Sequence, residues 1–219
     1  MNTLNKSIVV CFALKEEAAP FHKIAAGRPG IFTLIVGIGR QNAGKSLRRF
    51  LESCSPELVL TCGFAGGLNP ELKLGDIIYE SGMQKAESGN LEERLLAAGA
   101  KPAKIFCADR IATTAMEKWQ LCVDTGADAV EMESAAIHAV CAEKNISCVT
   151  VRVISDTAHE DLPLDFNALS KPDRSIDFGK LAWAIAKSPG KIGALMKLQK
   201  KTSFAAKQLT AVLEKIISE

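Results

Sequence analysis

Two hydrophobic rhythms alternate along the chain. Nearly unbroken apolar runs rich in Val, Ile and Leu read as strands buried on both faces, and segments with apolar residues at helical spacing follow most of them. Residues 7–14 form the first such run. Lys15-Glu16-Glu17 closes it and opens a short helix through Phe21 to Ile24, after which Pro29-Gly30 turns the chain. Residues 31–38 give a second strand, ending in Gly37-Ile38-Gly39, and a helix over about 41–52 follows. Residues 57–63 give a third, running into Gly63-Phe64-Ala65-Gly66-Gly67, and residues 74–79 a fourth.

The pattern weakens over residues 81–103. Asn90 with Glu93 has the form of a capping box ahead of a short helix ending near Gly99, and Thr114 with Glu117 repeats that form ahead of a helix toward Val123. Residues 104–107 read as a short strand between them. The stretch around which the rest is arranged is 129–137 together with 149–156. The first is a short apolar strand that turns into a small-residue helix at Glu131 and Glu133; the second is a β-branched strand that stops at Ser155 and Asp156. A helical segment joins these two strands, so they are expected to be parallel neighbours that bring Glu133 and Asp156 to one crevice at their ends. A polar loop over 157–172, a helix over 175–187, a break at Ser188-Pro189-Gly190 and a lysine-rich helix over 191–217 complete the chain. Strands alternating with helices predict an α/β fold, three layers (α/β/α) around a mixed, largely parallel sheet. The expected division is a catalytic domain over 1–188 and a basic amphipathic helical extension over 189–219.

Composition narrows this little. With 219 residues, 47% hydrophobic and 24% charged, the chain fits one soluble domain with a full core or a domain plus a small appendage. A net charge of +2 gives no argument for nucleic acid. The seven cysteines show no metal-ligand spacing and read as reduced core residues, so neither a metal nor a cofactor is expected. No apolar run is long enough to span a bilayer and the N-terminus lacks a signal peptide, which points to a cytoplasmic protein.

The candidate chemistry divides into one well-formed motif and several scattered carboxylates. Gly39-Arg40-Gln41-Asn42-Ala43-Gly44-Lys45-Ser46 satisfies the phosphate-cradling pattern GxxxxGK[ST], after a strand and before a helix. Two features count against that reading: a complete strand precedes it, and Glu131 and Glu133 would have no task. A tight turn with a solvated Lys45 is the plainer alternative. The glycines at 63–67 allow a ligand close to the backbone, or serve only as a turn. Glu131 and Glu133 at a helix start, and Asp156 after a strand, each have ordinary structural readings as dipole partners or caps. Their joint placement with Glu17, also at a strand end, favours a site. His138 reads as a packed core histidine, and His159 as a loop residue near Asp156.

With these residues in hand, the chain resembles the superfamily of purine nucleoside phosphorylases and methylthioadenosine/adenosylhomocysteine nucleosidases. The matching pieces are Ala13-Leu14-Lys15-Glu16-Glu17, Gly37-Ile38-Gly39, Cys62-Gly63-Phe64-Ala65-Gly66-Gly67-Leu68, Leu74-Gly75-Asp76-Ile77-Ile78, Ala129-Val130-Glu131-Met132-Glu133 and Val151-Arg152-Val153-Ile154-Ser155-Asp156, in family order over roughly residues 7–160. The resemblance implies an enzyme that cleaves the N-glycosidic bond of a purine nucleoside, adenine foremost, carrying a 5′-substituent. Such a bond breaks through an oxocarbenium-like state, and the leaving base must be protonated. By resemblance Asp156, steered by Ser155, is the general acid, and Glu17 activates the attacking water. Glu133 and Met132 hold the ribose, with Glu131 beside them, Arg152 as an anchor, and Phe64, Ala65, Gly66 and Ile111 along the substrate. Gly39, Arg40 and Gly63 fall on the side of the phosphate or nucleophile.

Departures qualify this. Phe64 replaces the small hydroxyl residue common at that loop, Arg40 is the only well-placed cation for a phosphate, and Ile111 falls where nucleosidases often carry a stacking phenylalanine. The first two tilt the expectation toward water over phosphate as the acceptor, and the third bears on recognition of the purine. The Ala108-to-Thr113 segment, the 157–163 loop and the Ser188-Pro189-Gly190-Lys191 tail resemble the hopanoid-associated phosphorylase subgroup, which implies an adenosyl-hopanoid lipid as substrate. The tail's lysines, interleaved with Ile192, Leu195, Leu209, Val212 and Ile216, suit a helix lying on an anionic membrane or one packed on its own domain. A small-molecule nucleoside partner, a homodimer and peripheral contact with the inner membrane face are the further implications. Two other classes stay open: a P-loop nucleotide-binding protein centred on 39–46, and a non-catalytic nucleoside-binding module.

Overall fold

A computed structural model describes residues 7–81, 85–171 and 177–218. Its strands are β1 (Ile8–Phe12), β2 (Ile31–Ile35), β3 (Leu58–Gly67), β4 (Ile77–Ser81), β5 (Lys101–Pro102), β6 (Ile105–Cys107), β7 (Ala129–Glu131) and β8 (Ser147–Asp156). The helices are α1 (Lys15–Ala25), α2 (Arg40–Phe50), α3 (Lys85–Ala97), α4 (Ala115–Thr125), α5 (Ser134–Glu143), α6 (Phe178–Lys187) and α7 (Ile192–Ile217). The sheet runs β2-β1-β3-β8-β4-β5, with β7 also on β3 and β6 on β7. Pairing is antiparallel at β3–β7 and β4–β8 and parallel at the other five contacts, so the sheet is mixed and largely parallel as expected.

Because successive side chains of a strand point to opposite faces, each central strand feeds two cores. Val10, Phe12, Leu60, Val149 and Val151 meet Phe21 of α1, Leu95 of α3 and Leu209 and Leu213 of α7. Val9, Cys11 and Val59 meet Leu47 of α2 and Ile137 and Val140 of α5. That is the three-layer arrangement. Such positions tolerate little loss of volume, and Leu60→Ala costs about 2–5 kcal/mol. All seven cysteines are free thiols, five of them buried.

Three expectations need adjustment. β7 and β8 are not neighbours: β3 runs between them, parallel to β8 and antiparallel to β7, so β7 and β8 run in opposite senses. The reason lies in the glycine segment, which continues β3 through Gly67 instead of turning away, so that Gly66 is opposite Val130 on one side and Asp156 on the other. The crossover rule therefore did not apply, although both strand ends still reach one crevice. α3 begins at Lys85, five residues before the expected cap at Asn90. The Thr114 cap holds as expected, its hydroxyl accepting from the Glu117 N–H at 3.2 Å. Residues 175–176, expected to open the helix that ends at Lys187, lie outside the described residues. Finally, the apolar residues of the tail divide: Leu209, Val212 and Ile216 are buried in the main core, while Ile192 is exposed.

Candidate active site

The carboxyl end of β3, β7 and β8 opens into a cavity of ≈ 270 Å³. Glu17, Glu131, Met132, Glu133, Ser155 and Asp156 line it, as do Phe64, Ala65, Gly66 and Ile111. Arg152 lies just beneath, fully buried among those carboxylates, while Gly39, Arg40 and Gly63 are not part of the lining and Arg40 is exposed.

Glu17 sits in the first turn of α1, where its carboxylate accepts from the Leu14 N–H (2.9 Å) and across the sheet from the Phe64 N–H (3.0 Å). Gly63 makes this approach possible: its φ is +148°, and a Cβ there would stand 3.0 Å from Glu17 Oε1. Burial pushes the Glu17 carboxyl above its ordinary range, with the two N–H donors and Arg152 opposing.

Glu131 and Glu133 are two residues apart and differ in kind. Glu131 Oε2 accepts from the Glu133 and Ser134 N–H groups, both at 2.9 Å, and from Arg152; its Oε1 accepts from the Ser134 hydroxyl at 2.6 Å. Burial disfavours its charge, but Arg152, the Ser134 hydroxyl and the Glu133 N–H outweigh that and bring it down to about 2. Glu133 accepts one short bond, 2.7 Å from the Gly39 N–H, and stands 3.9 Å from the Arg152 guanidinium. Burial therefore dominates, only partly offset by Arg152 and reinforced by the Glu131 charge, and raises its carboxyl to about 7. Arg152 also donates to Thr61 at 3.2 Å, while its buried Nε has no hydrogen-bond partner among the described residues.

Asp156, at the end of β8, has both oxygens engaged. Ser155 Oγ lies 2.8 Å from Oδ1, and the Lys118 ammonium 2.5 Å from Oδ2. Lys118 has no exposed surface; it also donates to the Thr157 and Glu160 carbonyls at 2.9 Å each, which accounts for its three hydrogens. Nothing in the sequence singled out this lysine, which stands on α4 next to an exposed Trp119. The sequence also gave no signal for Asn167, whose carboxamide accepts from the Ile111 N–H and donates to its carbonyl, both at 2.9 Å, on the cavity wall. Phe166, Leu162 and Leu198 add apolar surface there.

The phosphate-loop reading does not survive this geometry. Gly39 spends its N–H on Glu133, Ser46 donates to the Val36 carbonyl at 3.0 Å, and Lys45 is exposed. Arg40 bonds the Cys107 carbonyl and lies 3.5 Å from Asp109. His138 is half-buried against Thr150 Oγ1 at 2.8 Å, where burial lowers its pKa, and His159 is exposed outside the cavity lining. Among the described residues no group of His, Cys, Asp and Glu could hold a metal ion.

Residues 13–90 and 97–187 match the phosphorylase superfamily. A 5′-methylthioadenosine/S-adenosylhomocysteine nucleosidase from Shewanella halifaxensis is 28% identical over 166 residues, covering 60% of this chain and 70% of that one. Among solved structures, the nucleosidase of the same name from Neisseria meningitidis, in complex with methylthio-immucillin-A, superposes with a TM-score of 0.69 at 19% identity, over 97% of this chain and 98% of that one. Futalosine hydrolase of Helicobacter pylori gives 0.66 at 19% identity, over 97% and 99%. At these identities the two structures speak to the fold.

Proposed function

The chain belongs to the phosphorylase superfamily and is a nucleoside N-ribosyl hydrolase or phosphorylase, and on that premise we propose that it releases adenine from a 5′-substituted adenosine by hydrolysis. The observation that carries this reading is that Glu17, Glu133 and Asp156, from three separate elements, line one cavity. In the proposed reaction the C1′–N9 bond breaks and its electron pair passes to the purine, whose N7 takes a proton from the carboxylic-acid form of Asp156, leaving the carboxylate that Ser155 and Lys118 hold. Ser155 and Lys118 fix the aim of that side chain. Glu133, beside Met132, holds the ribose hydroxyls, and its negative charge steadies the cationic ring. Glu131 acts through Glu133 and Arg152, since its own oxygens are filled. A water beside Glu17 attacks C1′ and gives its proton to Glu17. Water is preferred over phosphate because Arg40 is tied to Cys107 and Asp109.

The finer implications belong to the same proposal. The 5′-substituent is lipid-linked, of the adenosyl-hopanoid kind. The chain works as a homodimer that covers the exposed Met116, Trp119 and Val123 of α4, a stripe at helical spacing, and sedimentation reads that state directly. Assay of free adenine from a set of 5′-substituted adenosines, with and without phosphate, tests the core of it. Release without phosphate, abolished in Asp156→Asn, is expected. Nucleoside binding without turnover under any condition would reduce the protein to a binding module, and strict dependence on phosphate would reverse the choice of acceptor.

A further inference from the structure

Charge is segregated along this chain. Residues 178–213 hold seven lysines and no aspartate or glutamate, which leaves 20 basic against 25 acidic side chains elsewhere. Helix α7 enters the main core with its second half, through Ala205, Leu209 and Leu213. Its first half presents Ile192 and Met196, one turn apart on the same face and 45% and 56% exposed. On α6, Trp183 is 62% exposed, with the Lys187 ammonium 3.8 Å from its ring centre. The opposite face of α7 closes the active site: Leu198 lines the cavity, and Ala194 and Lys197 line a recess shared with Asp156.

We propose that α6 and the first half of α7 form a docking surface for an anionic lipid bilayer, laying Trp183, Ile192 and Met196 into the interface while Lys187, Lys191 and Lys200 meet its headgroups. Large apolar side chains set among Lys187, Lys191 and Lys200, which have no acidic partner among the described residues, are what such a surface accepts: hydrocarbon takes the first and anionic headgroups the second. A nucleic-acid backbone would match the lysines but bury none of the aliphatic residues. A second copy would bring like charge against like charge. Docking in this way brings the wall of the cavity to the membrane, where a substituent with a long apolar tail resides.

The test uses the full chain and does not depend on catalysis. Trp119→Phe leaves Trp183 as the only tryptophan. Vesicles of phosphatidylglycerol with phosphatidylcholine are expected to carry the protein in flotation, and phosphatidylcholine alone at least tenfold less. Brominated acyl chains are expected to quench Trp183. Raising the salt, or replacing Lys187, Lys191 and Lys200 together by Glu, should lower binding tenfold or more, and Met196→Ala should lower it severalfold, with adenine release from a soluble nucleoside unchanged. Equal recovery on both vesicle types, an unquenched Trp183, or a preference for polyanionic nucleic acid would overturn the proposal. Failure here leaves the nucleosidase reading standing, and vesicle binding by a catalytically silent protein would leave this one standing.

Discussion

The two ends of the cavity balance their charges differently. At one, Glu17, Glu131 and Glu133 share a single guanidinium, Arg152, whereas at the other Asp156 has the Lys118 ammonium to itself. Arg152 is drawn so far toward Glu131 that Glu133 remains a buried carboxyl without a close cation, and its proton is held to about 7. A carboxyl that releases its proton near neutrality suits a partner that turns positive only in passing, as a ribose ring does when its base departs. The paired end holds no such spare carboxyl. It fixes a direction, since every hydrogen of Lys118 and both oxygens of Asp156 are committed.

Breaking the paired end should do the most harm. Asp156→Asn is expected to lower adenine release by about 10²–10⁴-fold, read in a base-release assay. Lys118→Met leaves a buried carboxylate and two carbonyls unanswered and should cost about 3–5 kcal/mol in denaturant unfolding, against the alternative of a near-neutral change if the pair were solvated. Glu133→Gln sharpens the contrast because its stability effect has the opposite sense. The folded chain binds the Glu133 proton more tightly than the unfolded one, with a carboxyl at about 7 against an ordinary 4.5. Its contribution is complete below the ordinary value and is lost as pH rises through about 7, up to ~3 kcal/mol at roughly 1.4 kcal/mol per unit. Wild type should therefore lose stability between pH 5 and 8 relative to Glu133→Gln, while the variant's turnover falls about a hundredfold; parallel stability curves would refute the buried-proton account. Glu131, held down at about 2, works the other way, losing its contribution as pH falls from 4.5 through 2. Lys45→Ala should change neither turnover by more than about twofold nor stability by more than about 0.5 kcal/mol, because an exposed lysine outside the cavity has nothing to lose.

How far residue order alone reached depended on whether the governing interaction was local. Most strands, the Thr114 cap and the carboxylates at strand ends follow from short-range pattern and stand where expected, although β4 runs Ile77–Ser81 where 74–79 was expected. The pairing of β3 with β7 depends on a glycine segment staying extended past Gly63, a choice made by both neighbouring strands and invisible in any one of them. Lys118 was hidden for a related reason. A lysine between Glu117 and Trp119 reads as solvated, and only the fold reveals the three acceptors arriving from β8 and its loop. Asn167 is similar: its partner Ile111 lies 56 residues away in sequence.

Because Gly66 is flanked by Val130 on one edge and Asp156 on the other, the acid and the strand leading to Glu133 are surveyed from a single datum on β3. Their spacing is set by main-chain ladders and cannot stretch to suit a larger guest. Any adaptation to a new nucleoside must come from the remaining walls, Ile111, Phe166, Leu162 and Leu198, which hang from loops and from one helix. Half of this enclosure is a fixed gauge, and the other half is upholstery.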